Sequence, residues 1–338
     1  MKAVVLTKLN SDLDIDNVEL TPLQYGQVLV KNIVSGLCGA QLQEIAGLKG
    51  NANFLPHLMG HEGCGIVEEV GVGVTTVKVG DKVVMHWRKG DGIEAPFPSY
   101  IYNEKTISSG KVTTLSEYSI VSENRLTSVP QDTPEELCAL LGCGLTTALG
   151  VVTNEANIKL GESVLIVGAG GVGLNLIQGS KLVSAYPIYA MDITDDKEKL
   201  CTSVGATHYI NSKTNTLPNQ KFDVIIDTTG NPEAINNVLP YLSGKGRMIL
   251  VGQPKPGHDV VIPNANKLFD GTGQSIKATQ GGMTSPTEDI PRYLNLYKAG
   301  LLDIKKIITH RFNLDEINLA FETLKSGKAG RIIININK

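Results

Sequence analysis

The feature that most constrains this chain is the run Val164-Leu-Ile-Val-Gly168-Ala-Gly170-Gly171-Val172-Gly173, in which four aliphatic residues lead straight into G-x-G-x-x-G. The residues that follow, through Val183, suit a helix. A buried strand, a glycine turn and a helix start in that order form a cradle for a pyrophosphate, because the glycines let the main chain approach and the free N–H groups favour anions. On its own the glycine pattern is a weak signal. Here a second apolar strand, Ile188 to Met191, ends in Asp192, about 20 residues beyond the motif, where an acid that binds ribose hydroxyls belongs. Such an acid repels a 2′-phosphate, and Ile193 and Thr194 offer no cation to receive one, so the expectation is NAD rather than NADP. Gly168, Gly170, Gly171, Val172 and Gly173 are the candidate phosphate turn.

Around this motif the chain has two textures. After residue 150, short apolar runs (Val164 to Val167, Ile188 to Met191, Val224 to Ile226, Met248 to Val251) alternate with helical segments, the pattern of a parallel sheet covered on both faces. Before about residue 145 the text is β-rich, with Lys2 to Leu6, Gln27 to Val34, Gly65 to Val70 and Lys82 to Met85 bounded by turn residues. Past 280 it turns helical, at Ile290 to Ala299 and at Leu314 to Leu324 with Asn313 as N-cap, and it closes with the strand-like Ile332 to Ile336. That last run has no parallel unit before it, so it is expected to return to the first domain. A length of 338 residues suits two domains. With Lys plus Arg at 31 against Asp plus Glu at 34, there is no excess of cations to hold a nucleic acid or an anionic membrane. The Met1 to Leu6 start is too short for a signal-peptide core and no apolar run reaches membrane-spanning length, so the expected location is cytoplasmic.

Five cysteines are too few and too odd for a disulfide framework, which leaves buried thiols, a nucleophile or metal ligands. Cys38-Gly39, Gly60-His61-Glu62-Gly63 and Gly142-Cys143-Gly144 are each unremarkable singly. Beside a nicotinamide site they combine into two thiolates and an imidazole, a three-ligand set for a catalytic zinc that leaves one tetrahedral position open.

Together with Gly80-Asp81-Lys82-Val83 and Ser326-Gly327 leading to Arg331, these motifs resemble the zinc-dependent alcohol dehydrogenases of the medium-chain dehydrogenase/reductase family along essentially the whole chain. The resemblance implies an α/β protein: a GroES-like β-rich catalytic domain from residues 1–145 and 280–338, and a Rossmann doubly wound parallel sheet from 146–279. It implies an NAD-dependent oxidoreductase acting between an alcohol and its aldehyde or ketone, assembled as a homodimer or homotetramer. It makes Cys38, His61 and Cys143 the zinc ligands, with Glu62 as a neighbouring acid able to enter the metal shell. Thr147 and Val251 fall near the nicotinamide, Lys197 joins Asp192 at the ribose, and Arg331 reaches the pyrophosphate.

The chain departs from the family pattern in two places. The stretch Trp87 to Thr114 contains no cysteine, where many members carry four for a structural zinc, so one zinc per chain is expected. Ala40 stands where a Ser or Thr usually passes on the alcohol proton, and Gln43, where a His often ends that relay, cannot titrate. By resemblance Trp87 lines the substrate channel. With Arg88 beside it, a polar sugar-like or cyclic alcohol, or one bearing an anionic group, suits better than a small aliphatic one. Two other readings compete: a zinc-free quinone or enone reductase of the same family, and a dinucleotide-binding protein without turnover.

Overall fold

The computed structural model describes residues 1–262, 264–269 and 273–336. They form two compact units, one from Met1–Thr146, Ser285–Asn295 and Ile308–Lys338, the other from Thr147–Thr284 and Leu296–Ile307. The segment Leu296–Ile307, grouped by the sequence reading with residues 280–338, packs instead with the second unit. There Gln178 receives the Asp303 N–H at 2.9 Å and donates to the Asp303 carbonyl at 3.2 Å, a pairing across 125 residues that no local pattern announces.

In the first unit the longest strand, Gln27–Leu37, organises the larger sheet. Glu62–Val70 pairs along one side of it, and Tyr118–Ser122 and Arg331–Asn335 divide the other side between them, all antiparallel. The closing strand therefore does return to this sheet, with Ile332 opposite Leu37 and Ile334 opposite Ser35. Ile332 and Ile334 are buried with Leu37, Leu115, Ile317 and Phe321 in one core, and a second core gathers Val28, Val67, Val83, Met85 and Leu126. Asn313 opens the helix Ile317–Lys325 through a capping box with Glu316, whose Oε2 accepts the Asn313 N–H at 2.8 Å. The helix expected from Ile290 starts earlier, at Pro286, because the Asp289 carboxylate caps it by accepting the Ser285 N–H at 2.8 Å. The buried Glu123 ties the cysteine-free stretch to the turn before it, accepting the N–H groups of Thr75 (2.6 Å), Thr76 (2.8 Å) and Ile93 (2.7 Å).

Among the described residues, the six strands of the second unit are all parallel: in sheet order His208–Asn211, Ile188–Asp192, Val164–Val167, Phe222–Asp227, Leu242–Leu250 and Ser275–Ala278. Numbered along this unit the order is 3-2-1-4-5-6, the Rossmann arrangement, whose switch point lies between strands 1 and 4. Leu165, Val167 and Ile225 pack with Ile235 and Val238 of the helix Pro232–Val238, whereas Ile166, of opposite parity, faces Gly173 of the helix Gly171–Leu182. The sheet is thus covered on both faces, as its unbroken apolar runs require. No single helix among the described residues is long and apolar enough to cross a membrane.

Candidate functional site

Strand register in the first unit assembles the cysteine–histidine cluster. Ser35 stands opposite Gly63, so the chain leaves the sheet at Leu37 just where it enters at Glu62, and Cys38 and His61 emerge side by side. Glu62 in turn pairs with His86, and the next residue, Trp87, donates its N–H to the Gly142 carbonyl at 3.4 Å, which brings Cys143 to the same edge. Gly142 has no alternative there: a Cβ would lie 2.3 Å from the Met85 carbonyl and 2.8 Å from Glu62 Cα. The result is a group in which Cys38 Sγ, a ring nitrogen of His61 and Cys143 Sγ all lie within 4.8 Å of one another. Around a tetrahedral zinc with bonds of ~2.3 Å to sulfur and ~2.0 Å to nitrogen, ligands stand roughly 3.5 Å apart, so the trio fits one ion. It is the one such group among the described residues.

The electrostatics agree with that donor set. A hydrogen bond from the Cys143 thiol holds Cys38 well below the ordinary thiol range against the opposing effect of burial, with further help from His61. Burial pulls His61 down, but the Cys38 thiolate more than offsets this through its hydrogen bond and charge, and the imidazole rises to about 9. Cys143, donating to Cys38 and buried, is pushed up. A metal that enters this group is held by thiolates and a neutral imidazole, so its binding releases the protons that Cys143 and His61 carry.

Glu62 is not part of the trio. Its carboxylate is fully buried, where it accepts the Gly144 N–H at 3.1 Å and pairs with the Arg331 guanidinium, itself 3 % exposed. Burial raises the Glu62 pKa and Arg331 opposes this. Arg331, expected at a pyrophosphate, is thus paired with Glu62. Ala40 lies in the first turn of the helix Gly39–Ile45, whose N-cap is Cys38, and Gln43 lies further along it. The sequence reading missed Gln41, which is fully buried and whose Oε1 accepts the Cys38 N–H at 2.9 Å. Its signal was the spacing Cys38-x-x-Gln41, that of an N-cap and an N3 glutamine. Trp87 is half-buried against the valine-rich core and carries the Arg88 guanidinium 5.7 Å from its ring centroid, while Lys89 turns to Glu94.

In the second unit, Gly168, with φ of 92°, turns the chain out of its strand, and Gly170 is the N-cap of the helix beginning at Gly171 and Val172. Gly173 can be nothing else, since a Cβ would stand 1.9 Å from the Gly168 carbonyl. A glycine N-cap brings no side chain to the first-turn N–H groups, which suits a bound anion. Asp192 ends the next strand and orders this turn: its Oδ2 accepts the Ala169 N–H and its Oδ1 the Ile193 N–H, both at 2.7 Å. Each oxygen keeps a lone pair for a ribose hydroxyl. Lys197 is 2 % exposed, and although burial lowers its pKa, it feels the Asp192 charge. Val251 follows the fifth strand and donates its N–H to the Asp227 carbonyl at 2.8 Å, and Thr147 is buried in the helix Gly144–Gly150.

Comparison with known proteins points the same way. Residues 24–131 match the model for an alcohol dehydrogenase GroES-like domain, and residues 171–299 the model for a zinc-binding dehydrogenase. Alcohol dehydrogenase 6 of Peromyscus maniculatus is 31 % identical over 98 % of this chain and 97 % of its own length. The chain belongs to the zinc-dependent alcohol dehydrogenases of the medium-chain dehydrogenase/reductase family. An S-(hydroxymethyl)glutathione dehydrogenase of Aspergillus oryzae is also 31 % identical, over 96 % of this chain and 93 % of that protein. The crystal structure of benzyl alcohol dehydrogenase from Acinetobacter calcoaceticus, 27 % identical, superposes with a TM-score of 0.89 over 99 % of both chains. As an alcohol dehydrogenase the protein is an NAD-dependent oxidoreductase with Zn²⁺ and NAD as cofactors, and its full ligand trio disfavours a zinc-free reductase.

Proposed function

We propose that this alcohol dehydrogenase interconverts a polar alcohol, sugar-like, cyclic or bearing an anionic group, with its aldehyde or ketone at a single zinc site. The convergence of Cys38, His61 and Cys143 carries the reading. Zinc held by these three supplies Lewis acidity toward an alcohol or carbonyl oxygen, and NAD supplies the hydride acceptor. The protein's part is positional. Gln41 fixes the Cys38 backbone, the Glu62–Arg331 pair stands behind the ligands, and the turn Gly168–Gly173 with Asp192 and Lys197 orients the dinucleotide. Because Ala40 bears no hydroxyl and Gln43 no titratable group, the alcohol proton leaves by a route other than the family's usual one. A cytoplasmic, reducing location suits two ligand thiols and the absence of any disulfide among five free cysteines.

The substrate class rests on the Arg88 guanidinium placed over the ring of Trp87, whose backbone is tied to the residue preceding Cys143. An indole gives a ring a flat wall, and a guanidinium binds carboxylates or phosphates. S-(hydroxymethyl)glutathione, named for several relatives, is one carboxylated alcohol of this kind. The test compares kcat/KM for a neutral aliphatic alcohol with that for carboxylated and phosphorylated polyols and for S-(hydroxymethyl)glutathione, in the parent enzyme and in Arg88→Ala. The anionic substrates should lead in the parent and lose that lead in the variant. Equal preference, or an indifferent variant, removes Arg88 from the site.

A further inference from the structure

Glu155 is a buried carboxylate without a task in the reaction outlined above. It ends the π-helical turn Val151–Glu155, which continues the helix carrying Thr147, and its side chain is 2 % exposed. One oxygen accepts a 2.6 Å hydrogen bond from Thr279 Oγ1 and the other pairs with the Lys277 ammonium. Both partners sit at the carboxyl end of the last parallel strand, Ser275–Ala278, where Thr279 donates its N–H to the Leu250 carbonyl at 3.0 Å, next to Val251. A single carboxylate thus ties the helix of Thr147 to the strand end beside Val251. Two further latches hold the same segment. Asn154 Nδ2 donates to the carbonyls of Gly282 (3.2 Å) and Met283 (3.3 Å), and a Cβ on Gly282 would lie 2.6 Å from both Thr147 O and Val151 N. Carboxyl ends of parallel strands are where such sheets bind ligands, and π-turns recur at functional sites.

The geometry points to Glu155 as a positioning residue for the nicotinamide end of the cofactor: by clamping Lys277 and Thr279 it holds Thr147 and Val251 in one wall. This rests on the reading that Thr147 and Val251 flank the nicotinamide, which Val251→Phe tests separately.

The measurement is the Kd of the full-length enzyme for NADH and for ADP-ribose, which lacks the nicotinamide, by titration calorimetry. In Glu155→Ala, and in the isosteric Thr279→Val, NADH should bind about tenfold more weakly while ADP-ribose stays within about twofold of the parent. Glu155→Gln, which keeps an acceptor for Thr279, should recover part of the loss. A residue that merely supports the fold would weaken both ligands together; that result, or unchanged NADH binding in both variants, overturns the proposal. Should Glu155→Ala fail to fold, Thr279→Val decides. If Val251→Phe leaves NADH binding intact, the placement of the nicotinamide fails, whereas a NADH-specific loss in Val251→Phe with none in the Glu155 and Thr279 variants means that Glu155 alone was misread.

Discussion

Arg331 and Glu62 neutralise each other where water does not reach, so neither can be removed alone without leaving a buried charge. Arg331→Met should cost about 3–5 kcal/mol in urea unfolding, and the double variant with Glu62→Gln should recover most of it. A double variant no better than the single would show that the pair is not what stabilises this corner. His86 makes a different prediction. Its Nδ1 lies 2.8 Å from the Arg88 carbonyl and its Nε2 2.9 Å from Thr127 Oγ1, and burial pulls its pKa down from 6.5 to about 4. Above that upper value the ring is neutral whether folded or not. Between the two, the unfolded chain takes up a proton that the folded chain refuses, and stability falls by about 1.4 kcal/mol per pH unit. Unfolding followed from neutral pH down to about 5 should show His86→Gln losing this slope, and a variant as pH-sensitive as the parent would assign it elsewhere. At this scale the sequence disclosed the residues whose chemistry is rare, a Cys, a His, a Cys. It hid Glu62's partner 269 positions away and Glu155, because a carboxylate looks the same in a chain whether it ends up buried or solvated.

Among the elements of the parallel sheet, the central strands were legible in the sequence because both their faces are buried. Val164–Val167 and Phe222–Asp227 read as apolar runs, whereas of the two edge strands of the parallel sheet His208–Asn211 is half-exposed and Ser275–Ala278 mostly exposed, and both are mixed in composition, so periodicity alone did not find them. The loop around Ile93 is another element fixed by tertiary contacts. Glu123 gathers three backbone N–H groups from two separate segments, and Glu94 adds ion pairs to Arg125 at 3.2 Å and Lys111 at 3.6 Å. Glu123→Ala orphans those donors and should cost about 3–5 kcal/mol. Trp87, the single tryptophan, lies in the same unit and reports its unfolding by fluorescence; an unshifted midpoint would show that the clasp is dispensable.

For the whole molecule, metal and dinucleotide requirements are assigned to residues of different units, so they should separate experimentally. Elemental analysis should return one zinc per chain, and Cys143→Ser should lose both zinc and turnover while keeping NADH affinity. A second firmly held zinc would require ligands outside the trio. Asp192→Gly should narrow the preference for NAD over NADP by about tenfold, chiefly through KM, and an unchanged ratio of kcat/KM would remove Asp192 from the ribose.

The pairing of Ile332 with Leu37 also sets an order in time. Ribosomes deliver the centre of the first unit's sheet early and the strand Arg331–Asn335 much later, so Glu62 waits 269 residues for its counterion and the core around Leu37 waits as long for its isoleucines. Most of the dinucleotide unit, Thr147–Thr284, is continuous and has no such wait. Newborn chains therefore pass through a stage in which one unit is nearly complete and the other is an open sheet edge, the stage at which a chaperone has most to protect.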